Sequence, residues 1–331
     1  MGYEGAGTPS IVGMTTAVPP VVTDPASRYP ELARLRAAAD EGDLDTVLDV
    51  LEDLRETDPD EYAEVSAVVV RSSALDGALE WYLSGNPDNR GARTLWAHRV
   101  IASIEGGDLG DDPAARVRDA EHWLLRLCSE DPTDPHPWTL RLATSRLLGL
   151  GAVETRRRYR RLLEARPDHI AGQRWMLDGL GPRYGGSWDE ALAFARRTAA
   201  EAPPGSPSGT LVVAAHLARW AEESGGGNLY YLARPEVVGE AETASDRWLA
   251  GPVTDSVATV RPRTELAVAL GLAGSRARAL AHFRALGTLV APGPWEAAHQ
   301  HHERLEALRA QALADTGDED EGDQPEEVEE P

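Results

Sequence analysis

Three prolines, Pro132, Pro167 and Pro203, punctuate the middle of the chain about 35 residues apart, and each closes a pair of helix-like segments. One pair carries Trp138 and then Tyr159 before Pro167. The next carries Trp175, Gly179, Ala191 and Ala195 before Pro203. A helix pair recurring at this period cannot bury its apolar face alone, so the pattern predicts stacked hairpins.

Helical spacing extends beyond these units. Leu32, Leu35, Ala38 and Ala39 form one stripe, and Val47, Leu48, Leu51 and Leu54 form a second that stops before Pro59. Tyr62–Ser73 pairs with Ala74–Ser84, with Trp81 and Tyr82 as bulky inward candidates. Gly91–Glu105 pairs with Pro113–Ser129 across a Gly- and Asp-rich loop. Leu211–Glu223 ends at Gly225-Gly226-Gly227, and Tyr230–Ala250 reads as an inserted helical segment broken by Pro235. Arg263–Leu272 with Arg276–Leu289 is a last hairpin, capped by a helix over Trp295–Ala314. No strand-like alternation of useful length is present.

These residues carry a resemblance. Trp175, Gly179, Ala191, Ala195 and Pro203 fall at the spacing of the tetratricopeptide-repeat (TPR) superfamily. Ala143, Tyr159 and Pro167 match in the preceding unit, and Ala267, Leu270, Ala279 and Phe283 in the last. The resemblance covers about Pro113–Leu289 and, less fully, Tyr29–Ser84. Pro182, where a first helix would continue, and the long Gly181–Ser187 turn depart from it. The Pro182–Trp188 loop, with Phe283, Leu286, Gly287 and Trp295, is similar to a bacterial branch of TPR-like proteins of unknown function. The resemblance implies an all-α fold, a right-handed α-solenoid of stacked antiparallel helix hairpins. It also implies that Gly179 sits where two helices approach closely.

The expected organisation is a flexible segment over 1–27, a helical repeat domain over 28–314 with a sub-boundary near 106–112, and an acidic disordered tail over 315–331. The lead-in is rich in Gly and Pro, and the tail holds ten carboxylates and no Arg.

The net charge is −22, and all 33 basic residues are Arg. Such acidity argues against general nucleic-acid binding and against docking on anionic membranes. Arg in place of Lys fits the codon bias of a GC-rich bacterial genome. No signal peptide and no membrane-spanning apolar run is visible, so the expected location is cytoplasmic. Cys128 is the sole cysteine, which rules out an intrachain disulfide, and its apolar stripe makes it a small buried hydrophobe.

Positive charge nevertheless concentrates in the middle: residues 153–197 hold ten Arg against six carboxylates. In Arg156-Arg157-Arg158-Tyr159-Arg160-Arg161, helical spacing turns Tyr159, Leu162 and Leu163 inward. Arg156, Arg157, Arg160 and Arg161 then cover the outer face, with Arg183 nearby. These five arginines are the candidate surface for an acidic protein or peptide partner, against the plain alternative of a solvated face.

The other candidates are weaker. Gly185-Gly186-Ser187 precedes a helix, but there is no Walker lysine; Ser187 and Glu190 read as a capping box. His299 and Glu303 share a helix face, with no third metal ligand in sight. No catalytic, cofactor or metal motif is present. The leading expectation is therefore a non-catalytic adaptor that binds a protein or peptide in its concave surface. One alternative is an accessory or regulatory enzyme with a site near the Gly185–Trp188 loop and the Arg156–Arg161 helix. Another is a regulator whose acidic tail occupies its own Arg surface.

Overall fold

The computed structural model describes residues 19–252 and 254–320, with side chains as far as residue 314. It is all-helical, with sixteen α-helices among the described residues. They are α1 (Pro30–Glu41), α2 (Leu44–Thr57), α3 (Pro59–Val69), α4 (Leu75–Gly85), α5 (Arg90–Glu105), α6 (Pro113–Glu130), α7 (Pro135–Leu147) and α8 (Gly151–Ala165). Then come α9 (Ile170–Gly179), α10 (Trp188–Glu201), α11 (Leu211–Ser224), α12 (Pro235–Leu249), α13 (Val257–Ala273), α14 (Arg276–Leu286), α15 (Pro292–Ala297) and α16 (His302–Asp320). None is long and apolar enough to cross a membrane.

The prolines punctuate at both kinds of helix end. Pro132, Pro167 and Pro203 each follow the C-cap residue of α6, α8 and α10, where a missing N–H is harmless. Pro59, Pro113 and Pro135 instead open α3, α6 and α7 behind an aspartate. Asp58, Asp112 and Asp134 each accept a backbone N–H of the first turn. Pro235 likewise opens α12 and does not break it.

Most consecutive helices pack on one another, and α5, α7 and α9 also touch in succession. A repeated device marks the hairpins: Trp138 Nε1 donates to the Pro132 carbonyl at 3.1 Å, and Gln173 Nε2 to the Pro167 carbonyl at 3.0 Å. The apolar core falls into three clusters. One is formed by α1–α5 with Ala26 and with Val257 of α13, one lies between α5, α6 and α7, and the largest runs from Cys128 on α6 to α16. The Gly106–Asp112 loop joins α5 to α6, which meet through Ala97, Ile101, Ala120 and Leu124.

The first described residues are tied to the segment that follows α14. Val22 pairs with the segment around Leu289, donating to the Thr288 carbonyl and accepting from Val290 N, both at 2.9 Å. Arg28 donates to the carbonyls of Ala285 and Leu286 and pairs with Asp255. Residues 19–27, expected to be part of a flexible lead-in, are therefore packed; residues 1–18 lie outside the described residues. Glu61 on α3 accepts the first two N–H groups of α13, Val257 N at 3.0 Å and Ala258 N at 2.8 Å. With that support α13 begins at Val257 and carries Pro262 inside it, six residues earlier than the expected start at Arg263.

Three further expectations need correcting. Trp81 points outward, 78% exposed, because α4 buries the opposite face through Leu75 and Leu79. A Cβ on Gly179 would meet only Thr155 Cγ2, at an ordinary 3.7 Å, so it is not the close contact. The last helix is split into α15 and α16, and α16 runs to Asp320, six residues into the expected tail; residues 321–331 lie outside the described residues.

Candidate functional site

Helices α8 and α10 each lean on α9 and meet through Tyr159 and Phe194, whose rings are edge-to-face at 5.5 Å. Arg156 Nη2 reaches Glu190 Oε1 at 3.0 Å. These two contacts join residues 34 and 35 positions apart, so α8 and α10 run in the same direction in register with the repeat. Between them lies a groove of about 1090 Å³, floored by Tyr159, Met176, Leu180 and Phe194 and edged by Val153 and Leu163.

The arginines of α8 have separate fates. Arg157 pairs with Glu154 and Arg161 with Glu164 on their own helix, both at 2.7 Å. The hydrogen bond from Arg157, joined by one from Arg158, holds the Glu154 carboxyl down at about 2. Arg158 is buried. It binds Glu121 Oε1 at 2.8 Å and the Arg141 carbonyl at 2.6 Å, while Arg141 and Thr144 also bind Glu121. Arg183 lies over the Tyr184 ring at 5.7 Å, apart from the groove lining.

Of the five predicted arginines, the groove therefore brings together Arg156 and Arg160 and leaves out Arg157, Arg161 and Arg183. Arg160 has no hydrogen-bonded or ion-paired partner among the described residues, and neither has Arg197 on α10. Arg197 was missed by the sequence reading. Its signal was the spacing of Glu190, Ala193, Phe194, Arg197 and Glu201, which turns one face of α10 to the groove. Of the lining carboxylates, Glu190 is held by Arg156 and Asp168 by Arg166, which leaves Glu201 without an ion pair among the described residues.

One more polar group faces this space. Gln173 lines the groove and is buried; its Nε2 is used by Pro167, and its Oε1 has no hydrogen-bond partner. A buried acceptor of this kind is costly unless a donor reaches it.

The glycine-rich turn is explained by its backbone. Gly185 is left-handed at φ +83°, and a Cβ on Gly186 would fall 2.0 Å from the Leu180 carbonyl oxygen. Ser187 Oγ accepts from Glu190 N at 3.2 Å, as a cap should. The Glu190 carboxylate turns to Arg156 and does not return to the Ser187 N–H, so the box is half used. His302 stacks on Trp295 at 4.9 Å and binds its carbonyl, and His299 binds the Glu296 carbonyl. Among the described residues no group of three His, Cys, Asp or Glu is arranged to hold a metal. Cys128 is buried, and burial pushes its thiol up to about 12.

No protein-family model matches this chain, and comparison with curated proteins and with solved structures finds no match either.

Proposed function

We propose that the chain is a helical-repeat adaptor that holds an acidic, amphipathic segment of a protein partner in the α8–α10 groove. The observation that carries this reading is the pair of partnerless guanidiniums, Arg160 and Arg197, above an apolar and aromatic floor. Such a floor accepts the apolar face of a helix or peptide, and guanidiniums take carboxylates in bidentate pairs. Gln173 Oε1 adds an acceptor for a donor on the bound segment.

The architecture that fits is a right-handed, TPR-like solenoid of antiparallel hairpins. Contacts between successive hairpins support it by recurring at 34 to 38 residues: Arg156 with Glu190, Arg158 with Glu121, Ser245 with His282 and His98 with His136. An open solenoid has only neighbour contacts. The ties from Val22 to Leu289 and from Glu61 to α13 depart from that pattern.

Fluorescence anisotropy with an acidic amphipathic peptide tests the reading. Binding is expected to weaken with salt and to be lost in the double variant Arg160→Glu/Arg197→Glu. Arg157→Glu and Arg161→Glu, which alter guanidiniums already paired on their own helix, should change affinity by no more than about threefold. Equal losses from both pairs of variants would rule out the groove.

A further inference from the structure

Away from the groove, three ionisable side chains on and between α11 and α12 form one hydrogen-bonded line. The Tyr231 hydroxyl lies 2.6 Å from His216 Nδ1, and His216 Nε2 lies 2.7 Å from Glu240 Oε2. Arg196 Nε fixes the other Glu240 oxygen at 2.8 Å. A carboxylate only accepts, so Glu240 takes the imidazole Nε2–H and leaves the Nδ1 lone pair for the Tyr231 O–H.

The protonation states agree with this direction. Burial pushes the Glu240 carboxyl up, but hydrogen bonds from His216 and Arg196 outweigh it and hold the group below its ordinary value. Burial lowers His216 against the pull of Glu240, which leaves the ring neutral at neutral pH. Burial also raises Tyr231, so its hydroxyl stays protonated and needs a base to react.

A buried histidine with both nitrogens satisfied is ordinarily a packing device. Here the tyrosine end of the line is partly exposed, and two guanidiniums lie over its ring. The guanidiniums of Arg219 and Arg234 lie 5.1 Å and 5.2 Å from the Tyr231 ring centre. Arg219 is held by Glu223, whereas Arg234 has no carboxylate partner among the described residues. A hydroxyl, a base within hydrogen-bond reach and a carboxylate orienting that base are the parts of an activated nucleophile. The guanidinium of Arg234, over the ring and without a carboxylate partner among the described residues, favours a phosphoryl electrophile.

We propose that Tyr231 is a general-base-activated nucleophile that takes a phosphoryl group from a phosphorus(V) ester or anhydride. The Tyr231 Oη–phosphorus bond forms as the bond from phosphorus to the leaving group breaks. The hydroxyl proton passes to His216 Nδ1, and Glu240 stabilises the resulting imidazolium. The leaving group departs with the bonding electrons and then takes that proton from His216. Arg234 offsets the charge that builds on the phosphoryl oxygens. Glu240 acts through His216 and is a positioning residue.

The test is the reaction of the full chain with a fluorophosphonate and, separately, with acetyl phosphate, mapped by peptide mass spectrometry. Tyr230 is a built-in control: it is 74% exposed, and its hydroxyl has no hydrogen-bonded base among the described residues. Tyr231 should react about tenfold or more faster than Tyr230 with both reagents. Glu240→Gln presents an amide N–H to His216 and forces the other tautomer. It should slow Tyr231 by about tenfold or more while the melting temperature and the Tyr230 rate hold. The Tyr231 rate should fall in acid as His216 protonates. His216→Gln should abolish the reaction; if that variant does not fold, Glu240→Gln and the acid limb decide. Faster labelling of Tyr230, or a Tyr231 rate indifferent to Glu240→Gln and to pH, would overturn the relay. Failure of acetyl phosphate to modify Tyr231 would overturn the phosphoryl assignment.

Discussion

Gly172 on α9 is pressed against Leu162 on α8 so closely that a Cβ at position 172 would fall 2.0 Å from Leu162 Cδ2. Thr139 Oγ1 closes the same space at 3.1 Å. Gly172→Ala should therefore overpack the α8–α9 contact and cost about 1–3 kcal/mol. Gly179→Ala, seven residues along the same helix, meets only an ordinary contact. It should be neutral or stabilising by roughly 0.4–1 kcal/mol, because alanine has less unfolded-state freedom than glycine. Urea denaturation of the two variants checks the contrast, and equal effects would refute it.

Arg157 and Arg158 are chain neighbours with different energetic weight. Arg158 is 3% exposed and shares Glu121 with Arg141, whereas Arg157 pairs with Glu154 in solvent. Arg158→Met should cost about 3 kcal/mol, at the low end for a broken buried pair because Arg141 still binds Glu121. Arg157→Met should cost less than about 1 kcal/mol. Chemical denaturation with similar losses for both would show that Arg158 is not held in this way.

What could be read from the sequence was what depends on near neighbours. The proline steps, the Ser187 cap and the outward placing of Arg156, Arg157, Arg160 and Arg161 all follow from residues within about one helical turn, whereas Leu163, expected inward, is exposed at the groove edge. The pairing of Arg157 with Glu154 and of Arg161 with Glu164 was equally local, at three residues' separation, and would have narrowed the candidate surface. The misses depend on distant partners. Pro262 reads as a helix breaker until Glu61, 196 positions from Val257, caps α13. Trp81 has the character of a core residue, but periodicity does not say which side of α4 has a neighbour. The glycine at the tight contact is Gly172 and not Gly179, because Leu162 fills the space beside it.

The Ser187 cap gives a compact test of local structure. Ser187 Oγ is the side-chain acceptor for the first turn of α10. Ser187→Ala should cost about 1 kcal/mol, and Ser187→Asp should be nearly neutral because a carboxylate caps as well as a hydroxyl. Thermal melts that fall equally for both would point to a role for the hydroxyl other than capping.

Histidines should set the acid limit of stability. His98 on α5 stacks edge-on against His136 on α7 at 5.2 Å, and His136 stacks against Tyr62 on α3 at 4.6 Å. Burial pushes His98 down to about 4 and His282 down to about 3. It also holds His136 well below the ordinary value, helped by the charges of His98 and His169. An unfolded histidine titrates near 6.5, so below that pH the unfolded chain takes protons that the folded one refuses. Stability is therefore whole above about pH 6.5 and is lost as pH falls toward the folded values, by ~1.4 kcal/mol per unit for each such group. Glu61, Glu64 and Asp134, whose carboxyls burial raises, work in the opposite sense, so the wild-type slope is a sum. The comparison with His98→Gln isolates one histidine. Between about pH 6.5 and 4 its urea-unfolding free energy should fall less steeply than that of wild type, by about one proton's worth of slope. Parallel pH profiles would show that His98 takes its proton in the folded state, and the burial account of this cluster would fail.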